Sequence, residues 1–223
     1  MTVTTSAALG ATRDSWHRVA EHVLAAGQFA AAGTIRLRPC PGGLQTVVGV
    51  QGRQLAVVGD RLLVTDGSGV RSAPLTTLRA AAEVAGVTPG LRGSYSPATS
   101  PDLDAPLPID RSAAARLASW YALGDAALRL FADDLGAAQD PVLWPEHLDV
   151  GVTVDAVNYG CSPGDAAIDE PYLYVGPHDG PPRRDEFWNQ PFGAAAASDR
   201  IRATGDAVDF FHHGRVLLEG STT

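Results

Sequence analysis

Three short aliphatic runs, separated by turn-forming residues, occupy positions 44–71 and constrain the fold more than any other part of the chain. The runs are LQTVVGV, RQLAVVGD and RLLVTDG, with Gln-Gly, Gly-Asp and Asp-Gly-Ser-Gly steps as breakers. Runs of this length between such breakers are typical of strands joined by hairpin turns. We therefore expect a three- or four-stranded antiparallel meander, whose valine-rich faces need a cover.

Amphipathic helices are predicted on both sides of this meander. The predicted helices span residues 14–32, 75–87, 111–135 and 206–218. In the first of them, Trp16 and Val19 belong to an apolar stripe at helical spacing, and Gly33 follows where a helix end is expected. Asp110 is placed to cap the long third helix. The N-terminal residues 1–14 are predicted to be a short frayed tail.

The second half of the chain is predicted to add strands to a sheet. Residues 148–154 (LDVGVTV) and 171–177 (PYLYVGP) have strand character, and NYGCSPGD between them is typical of a turn. Strands grouped apart from helices favour an α+β fold, with a mostly antiparallel sheet covered by helices. We expect a single domain over 1–223, with possible sub-lobes at 14–87 and 110–218. The sub-lobes would be joined by a Pro-rich loop at 88–110.

Composition limits the classes of function. The formal net charge is −8, which argues against binding to nucleic acid or to an anionic membrane surface. All 17 basic residues are arginine, so Schiff-base catalysis by lysine and a lysine-dependent phosphate loop are excluded. The chain has no apolar run long enough to span a membrane and no secretory leader pattern at its start, so a cytoplasmic location is expected.

The densest concentration of chemically useful side chains lies between positions 143 and 177. If Trp144-Pro-Glu-His-Leu-Asp leads into a strand, His147 and Asp149 project on the same face, because strand side chains alternate. A histidine beside a carboxylate is a workable general base, or two ligands of a divalent metal. Asp165 and Glu170 would add carboxylates near His147 if the flanking strands pair. We predict His147, Asp149 and Glu170 as the catalytic group.

A ligand pocket is predicted around the same residues. The predicted ligand-binding side chains are Trp144, Asn158, Tyr172 and Trp188. Tyr172 and Tyr174 share a strand face, and the aromatic segment 187–193 (FWNQPFG) is predicted to close over a ligand or to plug the end of the sheet. The Ser-Pro-Gly-Asp step at 162–165 is typical of a type II turn.

Two further groups carry alternative chemistry. Cys161 is a possible nucleophile, although no histidine lies beside it in the sequence. His17 and Glu21 are four residues apart on a helix, a spacing compatible with metal ligation but more often an exposed ion pair. Neither group forms a recognised metal signature, and Cys40 and Cys161 make no CxxC pair.

Several phrases resemble a group of uncharacterised actinobacterial proteins of about this length. They are WHRVAEHVL, APLTTLRAAAE, SPATSPDLDAPLPID, LWPEHLDVGV, NYGCSPGD, EPYLYVGP and FWNQPFG, and the match spans nearly the whole chain. A looser similarity, in the Trp144–Asp149 and Pro163–Tyr174 patterns, extends to a larger bacterial family of unknown function. The resemblance implies one shared fold and no particular activity.

The residues favour a protein that binds a small organic molecule around positions 143–177. His/carboxylate acid–base catalysis is the enzymatic activity that these side chains would support. One alternative is a divalent-metal-dependent enzyme that uses the same side chains. Another is a non-catalytic interaction protein whose aromatic strands bury in a partner. The pattern names no cofactor and no oligomeric state.

Overall fold

The structure is a computed structural model that describes residues 5–90, 97–137 and 139–220. The chain divides into two compact units. Unit 1 comprises Met1–Ser119 and Leu143–Leu148, and unit 2 comprises Trp120–Val142 and Asp149–Thr223. The single-domain organisation stays a prediction.

Unit 1 combines an antiparallel sheet with helices. Its elements are α1 (Ser6–Val19), a π-helical segment (Ala20–Ala25), α2 (Ala26–Ala32), β1 (Leu37–Cys40), β2 (Gly43–Thr46), β3 (Gln54–Val58), β4 (Arg61–Asp66), β5 (Gly69–Pro74), α3 (Leu78–Ala85), the start of α4 (Arg111–Asp134) and most of β6 (Val142–Trp144). The strand order is β6-β1-β2-β3-β4-β5, and its registers are antiparallel. The predicted meander is confirmed as β2 to β5.

Unit 2 repeats this combination with its own strands. Its elements are the end of α4, β7 (Asp149–Val154), β8 (Val157–Ser162), β9 (Tyr172–Pro177), β10 (Ala194–Ala197), a short 3₁₀ helix (Ser198–Arg200) and α5 (Thr204–Glu219). Neighbouring strands pair antiparallel in the order β7-β8-β9-β10. The predicted α+β class, with antiparallel sheet and covering helices, is therefore confirmed.

The first helix begins earlier than predicted. The Thr5 side chain accepts a hydrogen bond from the Ala8 N–H at 3.2 Å and caps the helix, so α1 starts at Ser6. The frayed tail predicted over 1–14 is therefore wrong for residues 6–14, and residues 1–4 lie outside the described part. The helix does not stop at Val19, because the backbone continues through the π-helical segment into α2 and ends at Gly33, where φ is 68°.

The predicted turn at 158–165 is wrong in its first half. Residues Val157–Ser162 form β8, and the chain reverses instead at Asp155 and Ala156, with φ of 50° and 59°. Two successive residues at positive φ are typical of a type I′ hairpin, which usually contains glycine or asparagine. Because β8 lies between β7 and β9, those two strands join one sheet without pairing directly.

The remaining helix predictions agree with the structure except at their ends. Asp110 caps α4 by accepting from the Ala113 N–H at 2.9 Å. Thr77 caps α3 by accepting from the Ala80 N–H at 3.1 Å, so this helix starts at Leu78 rather than at position 75. The Pro-rich loop has no regular element over 97–110, and its residues 91–96 lie outside the described part. Across the described ranges, no helix is long and apolar enough to cross a membrane.

Candidate functional site

Two tyrosine–carboxylate pairs lie on one face of the unit 2 sheet. The Tyr174 hydroxyl donates to Asp149 Oδ2, and the Tyr172 hydroxyl donates to Asp165 Oδ2 at 2.6 Å. Tyr172 and Tyr174 share this face because they alternate with Leu173 along β9. Asp149 is only 8% exposed, so its ionisable carboxylate lies in a largely buried position.

Two glycines let Tyr174 reach Asp149. Tyr174 is opposite Gly160 on β8, and Gly160 is opposite Gly151 on β7. A Cβ atom on Gly160 would stand 2.3 Å from the Tyr174 ring, and one on Gly151 would stand 3.1 Å from its hydroxyl oxygen. The Tyr174 ring therefore extends over Gly160 toward Gly151. Its hydroxyl reaches Asp149, which lies two residues before Gly151 on β7.

Burial keeps both phenols protonated. Desolvation raises the pKa of Tyr172 and, more strongly, that of Tyr174, and in each case the adjacent carboxylate raises it further. An ionised carboxylate can only accept hydrogen bonds. In each pair, the shared proton therefore lies on the tyrosine oxygen. Asp149 is the more deeply buried of the two carboxylates, since Asp165 is exposed.

The opposite face of the same sheet is a packed core. Cys161 is fully buried there against α4, where a Cβ on Gly124 would stand 2.4 Å from its sulfur. Its free thiol donates to the Trp120 carbonyl at 3.6 Å, and burial raises the pKa of the thiol well above its ordinary value. A thiol in this setting resists ionisation, so the structure does not favour the nucleophile hypothesis.

His147 stands apart from the regular strand geometry on which its prediction depended. Strand β7 begins at Asp149, and Leu148 has a φ of 54°, so side-chain alternation does not extend back to His147. The expectation that His147 and Asp149 share a strand face is therefore wrong. The His147 side chain is exposed in unit 1. Trp144, also in unit 1, has the Arg36 guanidinium 5.7 Å from its ring centroid.

The other predicted ligand-binding residues occupy different settings in unit 2. Asn158 is exposed, and its side-chain oxygen accepts from the Thr153 hydroxyl at 2.7 Å. Its place on β8 puts it on the same face as Gly160. Trp188 is fully buried and packs edge-on against Phe187, which also contacts Phe210 of α5. Glu170 is half-buried just before β9.

A buried polar cluster in unit 1 was missed by the sequence analysis. Glu21 and His22, in the π-helical segment, are fully buried. The expectation that His17 and Glu21 form an exposed pair is wrong, because the Glu21 side chain is 0% exposed and that of His17 only 18%. Glu21 accepts from the N–H groups of Ala98 and Thr99 at 2.8 Å and from the Thr99 hydroxyl at 2.5 Å. That hydroxyl in turn lies 3.0 Å from His22 Nε2. The cluster anchors the Pro-rich loop. π-helical turns occur frequently at functional sites.

The divalent-metal hypothesis requires several ligands that lie close together. Within 5–90, 97–137 and 139–220, no group of three His, Cys, Asp or Glu side chains is arranged to hold a metal ion. His17 lies 4.0 Å from Glu21, but that carboxylate is already engaged by the loop.

Comparison with known proteins identified no matching family model, curated protein or solved structure. The candidate site therefore depends on its own geometry. The residues of this site that the sequence prediction did not include are Gly160 and Gly151, whereas Tyr174 and Asp165 lay within the predicted region. The two-residue spacing of the tyrosines was a usable signal, but the turn predicted over 158–165 concealed the role of Gly160.

Proposed function

We propose that this protein binds a small polar organic molecule on the face of the unit 2 sheet that carries Asp149, Tyr172 and Tyr174. The observation that supports the proposal most directly is the Asp149–Tyr174 pair. A carboxylate and a phenol are held together at low exposure, in a sheet that has two glycines where side chains would obstruct them. A stable fold does not require a buried ionisable carboxylate, because removing it from water has a large unfavourable cost.

The pair suits acid–base chemistry on a bound ligand. Asp149 is the general base, and Tyr174 donates a hydrogen bond that moves from Asp149 to a ligand oxygen or nitrogen as charge develops there. Low exposure strengthens both interactions, since the local dielectric is lower than that of water. This is the acid–base function predicted for the 143–177 region, with Tyr174 added to the predicted carboxylate.

The proposal is tested by screening small polar molecules for binding to the wild-type protein and to two variants. The screen measures thermal stabilisation with a panel of amines, carboxylic acids, sugars and nucleosides. Asp149→Asn retains an acceptor for Tyr174 but removes the charge, and Tyr174→Phe removes the donor. A hydrogen bond to a charged group contributes about 1.5–3 kcal/mol, so we expect the dissociation constant of a ligand to rise by about tenfold or more in each variant.

Tyr159→Phe is the matched control. Tyr159 is a buried β8 tyrosine on the opposite face, where its ring packs 4.4 Å from Phe131. Its substitution should leave the dissociation constant unchanged. Ligands that bind all three variants as they bind the wild type would contradict the proposal, provided that circular dichroism shows each variant folded.

His147 and Glu170 remain predicted members of the catalytic group. The variants His147→Ala and Glu170→Gln measure how much these two residues contribute to ligand binding and turnover beside Asp149. His147 is exposed, so its truncation leaves no cavity. If both variants retain ligand binding and turnover, the acid–base function is confined to the carboxylate–tyrosine pairs.

A further inference from the structure

Three aromatic rings meet on the face of unit 2 that carries the tyrosine–carboxylate pairs. The ring centroids of Tyr172 and Tyr174 are 6.3 Å apart, those of Tyr172 and Phe192 are 6.3 Å apart, and those of Tyr174 and Phe192 are 6.4 Å apart. The three ring centroids therefore lie at the corners of a nearly equilateral triangle. The Phe192 ring is perpendicular to that of Tyr174, with an interplanar angle of 85°, and it is stacked at 29° to that of Tyr172. The Tyr172 ring is tilted by 56° from that of Tyr174.

We propose that the rings of Tyr172, Tyr174 and Phe192 form a recognition site for an organic ammonium cation. The inference rests on the proposed function, since it names the class of molecule that this face binds. Cation–π attraction acts within about 6 Å of a ring centroid. A cation seated on the solvent side of these three centroids, which are 6.3 to 6.4 Å apart, lies inside that range of all three.

The hydroxyl partners increase the attraction of the rings for a cation. Each tyrosine hydroxyl donates a hydrogen bond to a carboxylate, Tyr172 to Asp165 and Tyr174 to Asp149. Donation to an anion polarises the phenol and enriches its ring in electron density. The same two carboxylates add direct electrostatic attraction for a positive ligand.

The surrounding charge also favours a cation. The segment between β8 and β9 carries Asp165, Asp169 and Glu170, and the whole chain has a formal net charge of −8. A concentration of one charge beside a site raises the local concentration of ligands with the opposite charge. Neutral or anionic aromatic ligands would not gain this advantage.

Phe192 leaves the site open to solvent while its backbone is held in place. The residue is 38% exposed, whereas Tyr172 is only 6% exposed. Its turn is closed by the Gln190 N–H to the Gly193 carbonyl at 2.9 Å and by the reverse bond at 3.1 Å. A ring that is positioned before the ligand arrives loses less entropy on binding.

The test measures binding of choline and ethanolamine, as quaternary and primary ammonium probes, by NMR titration at constant ionic strength. The reference is the neutral alcohol in which carbon replaces the choline nitrogen. We expect at least one ammonium probe to bind about fivefold or more tightly than this neutral alcohol, and Phe192→Leu to weaken that binding by about fivefold. Phe210→Leu, the same change at a half-buried position on α5, should leave it unchanged.

The outcomes separate this inference from the proposed function. If neither ammonium probe binds more tightly than the neutral alcohol, or if Phe192→Leu and Phe210→Leu behave alike, the cation site is overturned. The proposed function survives that result when another small molecule still requires Asp149 and Tyr174. If no small molecule requires either residue, both proposals fail.

Discussion

Gly160 determines where the Tyr174 ring lies. A Cβ at this position would stand 2.3 Å from the ring, so Gly160→Ala forces Tyr174 or the β8 backbone to move. Inserting a methyl group into a packed region costs about 1–3 kcal/mol of folding free energy. We expect Gly160→Ala to lower the free energy of unfolding by that amount in urea denaturation, and also to weaken ligand binding by displacing the Tyr174 hydroxyl.

Gly205→Ala provides the control in the same unit. Gly205 lies in the first turn of α5, and a Cβ there would have no heavy atom within 4 Å. Alanine is the better helix former, so this variant should be unchanged or stabilised by up to about 1 kcal/mol. Equal effects of the two substitutions would show that Tyr174 does not depend on the absence of a side chain at Gly160.

Cys161 should be inert in the folded protein. It is fully buried, and the pKa of its thiol is raised well above the ordinary value, so little thiolate forms at neutral pH. In Cys40→Ser, which leaves Cys161 as the only cysteine, we expect a thiol reagent to react in denaturant and to react at least about a hundredfold more slowly without it. Rapid labelling of the native variant would revive the nucleophile hypothesis.

At the residue scale, the sequence predicted side-chain direction wherever it predicted the strand correctly. Tyr172 and Tyr174 were expected on one face, and the β9 register confirms it. His147 and Asp149 were expected on one face as well, but the strand starts only at Asp149. The positive φ of Leu148 could not be anticipated, because leucine rarely adopts that conformation.

At the scale of elements, α1 and the π-helical segment hold the Pro-rich loop along a polar stripe. Thr12 accepts from the Asp110 N–H at 3.0 Å, Ser15 donates to the Pro108 carbonyl at 2.9 Å, and Arg18 donates to the Pro106 carbonyl at 3.3 Å. Glu21 and His22 complete the stripe at Thr99. The loop has little regular structure, so these bonds fix its path.

Thr99→Val tests how much the far end of this stripe contributes. The Thr99 hydroxyl donates to Glu21 and therefore accepts from His22 Nε2, so valine removes one hydrogen bond from each of these two buried groups. Glu21 keeps the Ala98 and Thr99 N–H groups, and His22 Nε2 keeps the Thr99 carbonyl at 3.1 Å. We expect a loss of about 1–3 kcal/mol in the free energy of unfolding and faster amide exchange over residues 97–110. Thr65→Val, at an exposed position on β4, should change neither quantity.

Elements with strong local signals were predictable, and those fixed by distant contacts were not. Asp110 and Gly33 mark helix ends by their own chemistry, and both are confirmed. Strand β8 was mistaken for a turn because its Asn, Gly and Ser are typical turn residues, whereas pairing with β7 and β9 holds it extended. The burial of Glu21 likewise depends on a loop about 77 positions away in the chain.

For the whole molecule, the α+β class followed from the order of strand and helix patterns. The division into two units did not follow, since it falls within α4 rather than in the Pro-rich loop where sub-lobes were predicted to join. A continuous helical pattern carries no sign of such a boundary. The boundary is defined by the different contacts that the two halves of α4 make, and the sequence does not reveal those contacts.

Acid should destabilise the folded chain in a pH range set by two histidines of unit 1. Desolvation lowers the pKa of His17 below its ordinary value of 6.5, against the opposing effects of Glu21 and Asp14. Desolvation likewise lowers the pKa of His22, where Glu21 raises it and Arg18 lowers it. The folded state therefore binds fewer protons than the unfolded state below pH 6.5.

The sign of the pH dependence follows from this difference in protons. The stabilisation from both neutral histidines is complete above pH 6.5 and is lost as the pH falls toward their folded-state pKa values. We expect the free energy of unfolding, measured in urea, to fall between pH 6.5 and 5 by up to about 1.4 kcal/mol per pH unit for each histidine. His22→Gln should reduce this slope, whereas His213→Gln, at an exposed position, should retain it. A slope unchanged in His22→Gln would show that His22 is as easily protonated in the folded chain as in the unfolded one.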